Sequence, residues 1–459
     1  MAMAGLFLRT LTRPANPAAK RRTTAAVAAA SAAFSSTPAC SRDENPAKRK
    51  KNFKKGKPME NAAPVKKPAP GERKAFRYRI QTSNGNALSV KGLSEMEART
   101  LADSSSVGRM FSIPSGVVDQ LLALRAFKTT QSWSLFRHPH CLVRQQTVEL
   151  ARGMNAGREN PEKLFRCVLT GSRLAGKSLL LLQAMTHALL NDWVVINIPE
   201  GQDLTNGNTD YSPIRGTKPL QFCQPTYTLQ LLQTILQVNG TVLSKLPLRL
   251  EWPDLGTFSR NATIADLLLS MKEIEYAWPT FEALWQELNQ PDRPPILLSL
   301  DGLAHINKIS DYLDPTMNPV HAHELTLVRL FIDALSGKTK FRNGGAVITA
   351  TSCSNSPQHP SQDLVLSQVE AAQAGTEVPQ ANPYERGYDQ RIHDALKDTF
   401  VLRVPNVSKE EGRALLEYWA ASGVVKEVID TRTVSEKWTL GGHGIVGEME
   451  RVALMTLRL

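Results

Sequence analysis

The chain has 459 residues, 42% of them hydrophobic, which leaves room for two or three domains and a sizeable core and excludes wholesale disorder. No apolar run approaches the roughly 18 residues that a membrane-spanning helix requires, so no span is expected. The net charge of +12 sits at one end: residues 1–74 hold 17 Lys or Arg against 4 Asp or Glu, a net of +13, which leaves −1 for residues 75–459.

A polyanionic partner is therefore expected to meet the tail rather than a basic face of the fold. Before Asp43 there is no acidic residue, whereas Arg9, Arg13, Lys20, Arg21, Arg22 and Arg42 are spread among alanines, serines and threonines. That composition predicts a mitochondrial transit peptide over 1–35, removed near Phe34. Arg9 interrupts Leu6–Leu11, the only stretch that might serve as the apolar core of a secretory signal, and Arg13 and Pro14 follow it closely. Residues 36–75 carry AKRKKNFKKGKP and VKKPAPGERK, too polar to bury surface, and read as a disordered basic arm. Such an arm would neutralise RNA phosphates by counterion release; a solvated linker is the plainer reading of the same residues. Five widely spaced cysteines (Cys40, Cys141, Cys167, Cys223, Cys353) contain no CxxC pair and read as buried, reduced thiols.

Residues 76–160 show apolar spacings of three and four, notably from Met110 to Met154, and predict a mostly helical region broken at His138-Pro139-His140. Then LFRCVLT (Leu164–Thr170) predicts a short buried strand, GSRLAGKS (Gly171–Ser178) matches G-x-x-x-x-G-K-[ST], and SLLLLQAMTHALLN predicts an apolar helix. In that setting backbone amides of the glycine turn cradle phosphates, the lysine neutralises β/γ charge and the hydroxyl ligates Mg2+. The candidate nucleotide-binding residues are Gly171, Ser172, Arg173, Leu174, Ala175, Gly176, Lys177 and Ser178. A strand ending in a magnesium-side aspartate is the expected companion, and PPILLSLDGL supplies Asp301, so Ser178 and Asp301 are the candidate metal ligands. Further strands are expected within Asp192–Pro199 and Gly344–Ser352, alternating with helices such as ELTLVRLFIDALS. The fold class expected for 161–405 is α/β: an AAA+-like P-loop NTPase with a parallel sheet flanked by helices. Gly171, Asp301 and Thr351-Ser352 should then meet at the carboxyl ends of the strands.

Gln358–Arg391, rich in Pro, Gln, Ala and Ser, reads as a surface insertion. Residues 406–459 predict a helical subdomain where AAA+-type ATPases carry their lid, with a capping box at Ser408 and Glu411 and a last helix over Val446–Leu457. Many ATPases of this layout place a glutamate after the aspartate to polarise water; here that residue is Gly302. His305 is nearby but reads more simply as structural, so no catalytic residue is assigned and holding without turnover is favoured. No N-K-x-D is present to read guanine, which leaves GTP and ATP level.

Taken in order, DWVVINIPEG, QFCQP, LDGLAHI, HELTLVRLF, GGAVITATS and the GEMERVAL end make residues 130–459 resemble the mitochondrial small-subunit ribosomal family of death-associated protein three. The resemblance implies a structural component of the mitochondrial small ribosomal subunit, in the matrix, among its rRNA and proteins, with contacts to the large subunit near the interface. It also implies a held guanine nucleotide, GTP, with Mg2+: Gly171, Gly176, Lys177 and Ser178 at the phosphates and metal, and Asp301 completing the magnesium shell. Asp301-Gly302 agrees with the family. The alternative is an NTPase or GTPase switch that acts in ribosome assembly. The apoptotic link of vertebrate members is not extended to this chain, whose stretches 201–213 and 358–377 read as lineage-specific.

Overall fold

The structure is a computed structural model that describes residues 80–454 apart from 162, 272, 354–355 and 385–386. The transit peptide, the basic arm, Cys40 and residues 455–457 of the expected last helix lie outside the described residues.

Five strands form a parallel sheet: β1 (Phe165–Gly171), β2 (Val194–Ile198), β3 (Ile296–Asp301), β4 (Gly345–Ala350) and β5 (Phe400–Val404), in the order β5-β1-β4-β3-β2. Their side chains alternate between two cores, as a period of two demands. Ile296, Leu298 and Leu300 of β3 join one apolar cluster, whereas Leu297 joins the other; Val168 of β1 faces the first, Cys167 and Leu169 the second. Burial on both faces is why the strands are mostly apolar rather than strictly alternating, with Asn197, Ser299 and Thr349 as buried polar exceptions. The first cluster is closed by helices Pro225–Leu243, Ala277–Leu288 and Thr326–Ser336, the second by Ser115–Ala123, Gln145–Glu159 and Lys177–Leu190. The architecture is thus a parallel sheet flanked by helices.

A third core lies under the C-terminal helices Lys409–Ala421, Thr431–Leu440 and Val446–Leu454. Leu416, Tyr418, Trp419, Val434 and Met449 pack there with Phe136 and Leu142, so the segment ahead of β1 and the C-terminal helices share this cluster. The predicted capping box is present: the Ser408 hydroxyl accepts from the Glu411 amide, and the Glu411 carboxylate accepts from the Ser408 amide. Among the described residues no helix is long and apolar enough to cross a membrane.

Three expectations need correction. The helix expected to begin at Met110 is a strand: Met110–Ser112 pairs antiparallel with His140–Leu142, and among the described residues of that region α-helices occupy Ala98–Ala102, Ser115–Ala123 and Gln145–Glu159. Pro114 and Pro139 explain this, because a residue preceding proline is pushed out of the helical region. The expected insertion at 358–391 contains a 15-residue helix, Pro360–Ala374, which buries Val365 and Leu366 against the first core. Finally, Cys141, Cys167 and Cys223 are buried but Cys353 is exposed.

Candidate functional site

The carboxyl ends of β1, β3 and β4 open into a polar cleft of about 520 Å³. Register places the ends together: Ala350 of β4 pairs with Leu169 of β1 and with Asp301 of β3, and Gly171 pairs with Val404 of β5. Residues Arg173–Leu179 form one wall, Asp301, Gly302 and His305 the floor, and Thr351–Cys353 a neighbouring edge.

Backbone conformation builds the first wall. Gly171 leaves β1 at φ +141, where a Cβ would stand 2.6 Å from the Val404 carbonyl oxygen, so the close approach of β1 and β5 demands glycine. Leu174 adopts φ +61, and Gly176 caps the following helix at φ +101. The first amides of helix Lys177–Leu190 have no carbonyl four residues back within the helix and open toward the cleft. The Lys177 ammonium curls back to donate to the carbonyls of Gly171 at 2.9 Å and Ser172 at 2.8 Å. Burial lowers its pKa, partly offset by Cys353, 3.8 Å away, and by Asp301. The Ser178 hydroxyl donates to Asp301 Oδ2 at 2.8 Å. Of the residues singled out from the sequence, Arg173, Leu174, Ala175, Gly176, Lys177, Ser178 and Asp301 line this one cleft, and Gly171 and Ser172 anchor its loop.

Gly302 sits at φ +88, and a Cβ there would meet His305 Cδ2 at 3.3 Å. A glutamate beside Asp301 would therefore be strained as well as absent. His138 is exposed, while His140 is buried against Phe136, Tyr418 and Trp133, and burial takes its pKa down to about 4. His138 thus lies on an exposed bend, and His140 opens the strand His140–Leu142.

The facing wall was not foreseen. Lys128–Gln131, Pro199–Gln202 and Val446–Arg451 supply it. The Gly447 amide donates to the Leu174 carbonyl at 3.2 Å, and the Glu450 carboxylate accepts from the Ser132 amide at 2.8 Å. Next to this wall lies an apolar hollow of about 110 Å³, lined by Trp133, Phe136, Leu180, Val404, Val407 and Trp419. Gln131, Gly176, Leu179, Val446 and Glu450 border both spaces.

These features define a class: a five-stranded parallel α/β protein with a glycine loop, a lysine and a hydroxyl–carboxylate pair at its strand ends. The family model for mitochondrial ribosomal death-associated protein 3 matches residues 141–452, and the chain belongs to that family. The small ribosomal subunit protein mS29 of Neurospora crassa is 50% identical over 414 residues, covering 89% of this chain and 88% of the relative. The mS29 of Schizosaccharomyces pombe is 26% identical over 354 residues, 75% of this chain and 71% of the relative.

Proposed function

We propose that the protein is a structural component of the small subunit of the mitochondrial ribosome, in the matrix, and that it holds a purine nucleotide, GTP, with Mg2+ as a fixed ligand. Its partners on this reading are the small-subunit rRNA and neighbouring ribosomal proteins. Family membership supports the first part. The nucleotide part, and with it the P-loop NTPase assignment of the fold, is carried by one observation: Lys177, Ser178 and Asp301 converge on one cleft while the next residue is a left-handed glycine.

The donor set fits the ligand. Lys177 and the amides that open the helix would hold phosphate oxygens, and the Ser178–Asp301 oxygen pair suits a hard divalent cation. Bound Mg2+ would neutralise phosphate charge. The hollow beyond Gly176, with Trp133 on its lining, suits a base, and the cleft falls within the roughly 300–1,000 Å³ of small-molecule sites. Gly302 leaves the position after Asp301 without the glutamate that polarises an attacking water in many ATPases of this layout, which favours holding over turnover. Binding to the folded state alone would stabilise it by about 4 kcal/mol at a thousandfold excess over Kd.

The test is to sediment mitochondrial ribosomes and identify the nucleotide released from the small-subunit peak. Intact GTP, one per copy of this chain, is expected, with Lys177→Ala lowering both melting temperature and subunit incorporation. A diphosphate, or a protein found mainly in light fractions, would replace this reading with a cycling NTPase that acts in assembly.

A further inference from the structure

A second lysine reaches the cleft from outside the loop. The Lys128 ammonium donates to the Pro199 carbonyl at 2.7 Å and lies 3.4 Å from Asp301 Oδ2 and 3.7 Å from Glu200 Oε1. Asp301 Oδ2 is the same oxygen that accepts from the Ser178 hydroxyl. Asp203 lies close enough to feel these charges: burial and Glu200 raise its pKa, and Arg125 and Lys128 oppose the rise. Lys128 is held from behind, because its own amide donates to Gln131 Oε1 at 2.9 Å, and its side chain is only 21% exposed. One ammonium thus stands between two carboxylates, Glu200 and Asp301, on the side of the cleft where Ser178 and Asp301 meet.

We propose that Lys128 is a tethered cation of the metal side of this cleft, so that a divalent ion enters only by taking Asp301 away from it. This rests on the reading that Ser178 and Asp301 hold a divalent cation with the nucleotide. The reason is electrostatic. An ammonium within 4 Å of the ligand oxygen satisfies the carboxylate in the metal-free protein and repels a second cation at that place. Lys128 therefore weakens metal entry and keeps the corner folded without it. Release of Lys128 from Asp301 also loosens its bonds to Pro199 and Glu200, so metal occupancy is sensed by the end of β2 and by residues 125–131.

The experiment uses the full chain, N-methylanthraniloyl-GDP as a fluorescent probe at saturation, and a magnesium titration. Lys128→Gln removes the charge but keeps a donor for the Pro199 carbonyl. Its half-saturating Mg2+ concentration should fall about tenfold below the wild type, whereas Lys128→Arg should stay within about twofold of it. A folded Lys128→Gln with an unchanged or higher midpoint would overturn the proposal. A second measurement needs no variant: acetylation of wild-type Lys128, read by mass spectrometry, should speed up when Mg2+ and nucleotide are added. Equal labelling with and without them would also overturn it. Failure of the wild type to bind the probe at any Mg2+ concentration would remove the nucleotide reading itself, and this proposal with it.

Discussion

The wall of the cleft at Gly171–Ser178 comes from eight consecutive residues, whereas the facing wall gathers Lys128, Glu200 and Glu450 from three distant parts of the chain. The first is set by backbone: a strand locked between β4 and β5, a glycine against the Val404 carbonyl, and a left-handed cap at Gly176. The second is set by single long-range ties, such as Glu450 to Ser132 and Gly447 to Leu174. A wall made of backbone resists side-chain substitution but not the loss of a glycine. A wall made of ties can be loosened one tie at a time.

Three perturbations sharpen that contrast. The largest effect is expected from Gly171→Val, which places a Cβ 2.6 Å from a backbone oxygen at φ +141. The strain and the forced shift together should cost about 4 kcal/mol, read by denaturant unfolding. Acid comes next. His140 lies beneath the facing wall with a pKa near 4 in the folded protein against an ordinary 6.5, because burial disfavours its charged form. The unfolded chain takes the proton first, so this contribution is complete above pH 6.5 and is lost as pH falls toward 4, on the order of 3 kcal/mol. His187, on the helix of the first wall, is also shifted to about 4 by burial. Stability measured from pH 7 to 4 in His140→Leu and His187→Leu should therefore flatten in both. Only His140→Leu should also slow hydrogen exchange of the C-terminal helices (residues 409–454) at low pH; slowing by His187→Leu instead would show that the loop wall yields first. The smallest effect is Glu450→Ala, which removes the acceptor of the Ser132 amide at about 1 kcal/mol. It should leave β1 and its loop unchanged in hydrogen exchange while raising exchange over residues 446–454.

The same contrast explains what could be read from the sequence. The first wall was legible because strand, turn and helix follow one another: Leu164–Thr170 is realised as Phe165–Gly171, and the apolar run before Asp301 as Ile296–Asp301. The order of the strands was not legible, since pairing of β1 with both β4 and β5 depends on no local pattern. Nor was Lys128, whose partners Pro199 and Asp301 lie in other strands' ends. The helix Pro360–Ala374 was missed although its signals were present. Pro360 stands at the first helical position, and Gly375 closes the helix at φ +66. Proline there is a start rather than a break. Cys353 was grouped with buried thiols because composition says nothing of where a strand's end emerges.

The third core has a temporal meaning. Chains emerge amino end first and their parts fold as they become available. Phe136 and Leu142 belong to an early stretch, yet their partners Trp419, Val434 and Met449 come last, and so does the amide of Gly447 that clasps Leu174. A chain cut short before Val446 would keep the Gly171–Ser178 loop and Asp301 and still lack the clasp. The clasp is thus a check on completeness: only a chain made through Gly447 can fasten the glycine loop to the C-terminal helices.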